Sequence, residues 1–311
     1  MTRTITKINA GIQDTSRPSE RPPKTNWKTE LVKKGLATLQ HISPGKTAEV
    51  VWHYFTKPGT VRFKESHLEL LDQAQTFSSN YKGYRIQGYR WGTSGPKVLL
   101  VHGWRSKISD FRRMIFTLVE AGYIVEGLDM KAHGKSEGKH TAIPEMRDII
   151  KDHYVKEGPY HAVIGYSIGG LAASMVLTEV GPALQPKHLF IIASPPYVRY
   201  FFKDIIDDLG FSNEVYEAMA KLVKSNYHED IDYFDLRDKQ HLLQSVDMTL
   251  IYDEIDKTVP FERGKELFES YPDAHFVHTT GLGHYKIIAY EAVFKVILKQ
   301  MKSEMIPSFT A

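Results

Sequence analysis

The sequence has no cysteine among its 311 residues, which excludes disulfides and thiolate metal sites and leaves the redox state of its compartment open. It also lacks any run of about 18 apolar residues, the length a membrane-spanning helix needs. The opening stretch, "MTRTITKINAGIQDTSRPSERPPKTN", has no apolar core of signal-peptide length. Nor does charge of one sign dominate: 40 basic residues against 37 acidic leave a formal charge of +3, and the basic residues are scattered. Nothing here asks for nucleic acid or an anionic membrane as partner, so a soluble cytoplasmic protein is the default expectation. What the chain does have is core material, 42% hydrophobic residues, enough for one large domain or two modest ones.

Polar residues and proline fill positions 1–26, which read as a flexible tail. Three helical segments follow, "WKTELVKKGLATLQHI", "TAEVVWHYFTK" and "KESHLELLDQAQTF", punctuated by Ser43-Pro44-Gly45 and Lys57-Pro58-Gly59. They are expected to form an N-terminal helical extension over 27–83. From residue 84 the pattern changes to short apolar runs alternating with amphipathic stretches, which predicts an α/β fold: a mostly parallel sheet with helices on both faces. That alternation covers 84–194 and 246–311. The stretch 195–245 interrupts it with helical composition and aromatics.

Parallel sheets of this kind place ligands at the carboxyl ends of their strands. Collected there, the chemistry-bearing residues are His102-Gly103-Trp104, Asp129 with His133-Gly134, Ser167, Asp253 with Asp256, and His284. Ser167 stands in "HAVIGYSIGGLAASMVL", where a strand-like run passes through Gly-Tyr-Ser-Ile-Gly-Gly into a helix-like run. Glycines two positions to either side suit a turn too tight for side chains, which lifts the serine into the open. A serine here also suits a helix N-cap, so the cap reading stands beside the nucleophile reading. Asp253 and Asp256 both qualify as an acid.

Two strings ending Gly-Lys-Ser/Thr, "SPGKTA" and "AHGKSE", lack the first glycine of a phosphate-binding loop. His275 and His278 fall three apart on a strand and so point to opposite faces, which argues against a shared metal.

The order Ser, acid, His after three separate strands resembles the α/β-hydrolase superfamily, with its G-x-S-x-G nucleophile elbow. The resemblance covers about residues 84–302 and includes H-G after an earlier strand, D-x-x-x-H-G-x-S, D-x-x-V-P and G-x-G-H in family order. It implies Ser167 as nucleophile, His284 as base and Asp256, in the D-x-x-V-P position, as the acid. It also implies an oxyanion hole from the backbone N–H groups of Ile168 and Trp104, with His102 and His133 as hydrogen-bonding residues of their turns. The stretch 195–245 stands where the family inserts a helical cap, so Tyr197, Tyr200 and Phe201, with Tyr166 and Tyr285 beside the catalytic residues, are the expected pocket lining. Packing of the cap explains such aromatics equally well.

The sequence thus predicts a serine hydrolase acting on a small-molecule ester, thioester or other acyl substrate, with no cofactor and no metal. The same triad serves amidases and peptidases, and a non-catalytic ligand-binding member of the fold is the other alternative. Substrate, oligomeric state and the purpose of the N-terminal helices are not legible.

Overall fold

The computed structural model describes residues 4–11 and 27–302. Among these residues nine strands form one sheet: β1 (Thr4–Asn9), β2 (Gln75–Tyr81), β3 (Tyr84–Trp91), β4 (Lys97–Val101), β5 (Ile124–Leu128), β6 (Ala162–Tyr166), β7 (His188–Ile192), β8 (Asp247–Asp253) and β9 (His275–Thr280). The helices among the described residues are α1 (Trp27–Ile42), α2 (Pro44–Phe55), α3 (Glu65–Asp72), α4 (Arg112–Glu120), α5 (Ile143–Glu157), α6 (Ile168–Glu179), α7 (Arg199–Asp208), α8 (Asn213–Tyr227), α9 (Phe261–Ser270), α10 (Gly283–Lys286) and α11 (Glu291–Lys302).

The sheet order is β1-β9-β8-β7-β6-β4-β5-β3-β2, antiparallel only where β3 meets β2 and β5. β6 and β7 are buried at every position, as strands covered on both faces must be, and their sequences AVIGY and HLFII are accordingly apolar throughout. α4 packs with α11 and α5 with α6, so helices cover both faces. Leu100, Ile164, Phe190, Ile251 and Val277, from five neighbouring strands, meet Phe111, Ile115 and Phe294 in the core.

The chain forms two compact units. The sheet unit comprises residues 1–10, 58–196 and 236–311. The helical unit comprises 11–57 and 197–235, so α1 and α2 fold with α7 and α8 from the middle of the chain. Trp52 and Phe55 of α2 lie against Phe202 of α7, ring centroids 6.1 and 5.2 Å apart, and Gln40 donates to Gly210 O and accepts from Ser212 N–H.

Two sequence expectations are corrected here. Thr4–Asn9, expected in the flexible tail, is a strand paired in parallel with β9, and the Thr6 hydroxyl meets His275 Nε2 at 2.7 Å. The remainder of that tail, 1–3 and 12–26, lies outside the described residues. The third expected helix stops at Asp72, and Gln75–Tyr81 becomes the edge strand β2. Phe77 of β2 covers Gly88 of β3, where a Cβ would meet its ring at 2.1 Å. Pairing with β3 therefore overrides local helix propensity.

Candidate active site

Ser167 turns the chain from β6 into α6 at φ +54° and ψ −138°, a conformation that a residue with a Cβ occupies only under strain. The turn is possible because its flanking glycines approach other backbone closely. A Cβ at Gly165 would lie 2.4 Å from Gly170 Cα, and one at Gly169 would lie 2.2 Å from His102 O. Ser167 N–H donates to Ile192 O of β7 at 2.9 Å, which ties the corner to the neighbouring strand. Its hydroxyl makes no cap bond to α6 and lies 3.1 Å from His284 Nε2.

His284 follows β9, and its Nδ1 stands 2.7 Å from Asp256 Oδ2. Asp256 Oδ1 accepts the N–H groups of Thr258 and Val259 at 2.7 and 2.8 Å, which fixes the carboxylate and leaves its other oxygen on the imidazole. All three residues are buried, so these contacts lie in a weakly polarisable setting where hydrogen bonds to charge are strong.

Asp253 ends β8 three residues earlier and serves a different set of partners. Its Oδ1 accepts from Ile255 and Gly283 N–H, and its Oδ2 from Leu282 N–H and the Thr279 hydroxyl. It therefore ties the acid loop to the histidine loop without touching His284. An acid directly after an apolar run was the available signal, but spacing alone did not distinguish the acid that ties the loops from the one that meets the histidine.

Tyr166, expected as pocket lining, is 3% exposed and donates its hydroxyl to His284 O at 3.1 Å. Burial raises its phenol, with Tyr285 and Asp256 adding to the effect, so it is a neutral donor that props the histidine backbone. Tyr285, by contrast, is 60% exposed, with its ring edge-on to His284. Tyr197, Tyr200 and Phe201 belong to the helical unit, where Tyr200 is buried, stacks on Phe201 at 4.2 Å and meets Tyr197 edge-on.

Ile168 opens α6, where the first N–H groups of a helix have no intrahelical acceptor and the helix dipole favours negative charge. Trp104 lies in the turn after β4. The neighbouring Gly103 abuts the serine so closely that a Cβ there would lie 2.6 Å from Ser167 Cβ. The structure thus brings Ser167, His284, Asp256, Ile168 and the Gly103–Trp104 turn to the carboxyl ends of β4, β6, β8 and β9.

The profile of the family described as serine aminopeptidase, S33, matches residues 94–228, less than half of the chain. A human serine hydrolase-like protein is 29% identical over 99 residues, covering 29% of this chain and 47% of that protein. The chain therefore spans about half the length of this curated relative. Among solved structures, the Pyrococcus furiosus esterase Pf2001 matches with a TM-score of 0.58 at 20% identity over 80% of this chain and 97% of its own. A thioesterase domain from the curacin biosynthetic pathway matches with a TM-score of 0.53 at 18% identity, over 72% of this chain and 99% of its own. These identities carry the fold, and it agrees with the strand order and elbow described above. The chain has the α/β-hydrolase fold.

Proposed function

We propose that this protein is a serine hydrolase that cleaves a carboxylic ester or thioester of a small molecule through an acyl-enzyme. The observation that carries the reading is the continuous Asp256–His284–Ser167 relay, with contacts of 2.7 and 3.1 Å. In this reading the Ser167 hydroxyl attacks the carbonyl carbon while His284 Nε2 takes its proton. The imidazolium so formed keeps Nδ1–H on Asp256, whose charge stabilises it. The oxyanion is held by the backbone N–H groups of Ile168 and Trp104, a kind of donor that stabilises the charge as it develops. Collapse of the tetrahedral species expels the leaving group, and His284 returns its proton to the departing oxygen or sulfur, which leaves as the alcohol or thiol. Water activated by the same histidine then releases the acid and regenerates Ser167.

Acyl-chain preference is assigned to exposed Tyr285, whose ring stands edge-on to His284. Nothing in this mechanism requires a cofactor. Among the described residues no helix is long and apolar enough to cross a membrane.

A second reading, hydrolysis of an amide or peptide bond, is favoured by the S33 match. It uses the same residues, with His284 protonating an amine leaving group. Incubation with a fluorophosphonate probe, followed by mass spectrometry, tests both against a pure ligand-binding role. The expected result is one phosphonylated peptide containing Ser167, absent in Ser167→Ala. A panel of p-nitrophenyl esters, acyl thioesters and aminoacyl amides then separates the two. Faster turnover of the amides would replace the first reading by the second. No labelling of a folded protein would overturn both.

A further inference from the structure

His102 and His133 form a reciprocal clasp between the loops that follow β4 and β5. His102, on the first loop, accepts the Met130 N–H of the second at Nε2 (2.9 Å). His133, on the second, accepts the Arg105 N–H of the first at Nε2 (3.1 Å). Both rings therefore carry their proton on Nδ1, from which His102 donates to Gly103 O at 2.8 Å and His133 to Lys131 O at 3.0 Å. The rings lie 5.1 Å apart, and Trp104 rests edge-on against His133. Burial pushes both imidazoles down, His133 to about 3 with His102 adding to the effect, so both stay neutral and both keep an acceptor nitrogen.

The acceptor of the His102 bond is one end of the peptide whose other end is Trp104 N–H. In a trans peptide the C=O and N–H point in opposite directions. The Gly103 carbonyl is held by His102 and also accepts Ser106 N–H at 3.3 Å, so the Trp104 N–H is turned to the opposite side. On the far side of Trp104 the chain enters Arg105 at φ +54°, a strained conformation that His133 secures through the Arg105 N–H. The two histidines thus fix both peptide groups that flank Trp104 Cα, directly beside Ser167.

We infer that His102 and His133 are matched positioning residues that set the orientation of the Gly103–Trp104 peptide and hence aim the second oxyanion donor. The inference rests on the hydrolase reading above and deepens it. Neither residue touches substrate. Each acts through a backbone group.

Asparagine and glutamine separate the two nitrogens of each ring. Asparagine places an amide N–H near Nδ1, and glutamine places a carbonyl oxygen near Nε2. At 102 the critical bond is made by Nδ1, so His102→Asn keeps it and His102→Gln loses it. At 133 the critical bond is made by Nε2, so the order reverses: His133→Gln keeps it and His133→Asn loses it. A role limited to filling space or supporting the fold would rank the two amides alike at both positions.

The experiment measures the fluorophosphonate labelling rate of Ser167, kcat and KM for p-nitrophenyl butyrate, and Tm, in the parent and all four variants. His102→Gln is expected to lose about a hundredfold in labelling rate and kcat, the loss typical of one missing oxyanion donor, with KM changed by less than about threefold. His102→Asn should recover at least about tenfold of that loss, and at 133 glutamine should outperform asparagine. If either variant at 102 fails to fold, the order at 133 decides alone. Equal ranking at both positions, or activity that simply follows Tm, would overturn the inference while leaving the hydrolase reading intact. A folded parent that neither labels nor hydrolyses would overturn the two together.

Discussion

Asp253 ends β8 and Asp256 lies three residues on, in the loop that follows, yet only Asp256 meets His284, at 2.7 Å, while Asp253 accepts hydrogen bonds from Ile255, Leu282, Gly283 and Thr279. The consequences of changing them are therefore expected to differ in kind. Asp256→Asn keeps the loop but removes the charge that stabilises the imidazolium, so kcat should fall by about 10⁴ with a small change in Tm. Asp253→Asn turns an amide N–H toward groups that are themselves donors. Each lost charge-assisted bond contributes about 1.5–3 kcal/mol, so unfolding free energy should fall by at least that much. Denaturant melts alongside ester kinetics check both. Equal stability loss in the two variants would contradict the division of roles.

Ser167 carries strain as well as its hydroxyl. Ser167→Ala should abolish turnover by several orders of magnitude, on the order of 10⁴ or more, while keeping the strained backbone. Ser167→Gly should be equally inactive but more stable than the alanine variant by about 1 kcal/mol, because glycine accepts positive φ without penalty. Calorimetric comparison of the two variants checks this. A glycine variant that melts below the alanine one would mean the corner is not strained.

Removal of residues 1–11 would strip β1 from β9 and expose a row of unpaired backbone groups on β9. Such an edge templates pairing with other chains. The truncated protein is expected to melt at lower temperature and to aggregate with rising concentration. Light scattering during a thermal ramp reads both, and an unchanged profile would show that the pairing contributes nothing.

His188 is buried at the start of β7 with no hydrogen-bond partner on either ring nitrogen, edge-on to His161 and 3.6 Å from Asp247. Burial, with help from His161, lowers its imidazole to about 4. An unfolded chain protonates this residue near about 6.5, so the unfolded state binds the proton first as pH falls. Stability should therefore decline from about pH 6.5 toward pH 4 and be indifferent to this group above that range. His188→Phe removes both the unpaired nitrogens and the titration. It should raise stability by about 1–3 kcal/mol and lessen that decline, to which buried His102 and His133 also contribute, as urea melts from pH 4 to 8 would read.

The parts legible in the sequence were those whose cause is local. The run into and out of Ser167 declares itself because a buried strand, a corner too tight for side chains and a helix follow one another without a break. The G-x-G-H and D-x-x-V-P strings sit at strand ends for the same reason, and the structure brings their His284 and Asp256 together with Ser167. What escaped depends on distant partners. TITKIN is polar except at Ile5 and Ile8, three apart, and only the β9 edge makes it a strand, while QTFSSNY takes its form from Gly88 across the hairpin. The sequence placed His102 and His133 in their turns, but their crossing bonds join positions 28 residues apart, a pairing that no motif announces.

The pairing of β1 with β9 also dictates a schedule. Thr6 and His275 are 269 residues apart, so β1 leaves the ribosome long before its partner exists. Closing so long a loop costs entropy that only the finished sheet can offset, and contacts of such sequence separation form late. The six residues of β1 therefore remain unmated until β9 has been made, available to chaperones or to other nascent chains. Their docking is the step that closes that edge of the sheet.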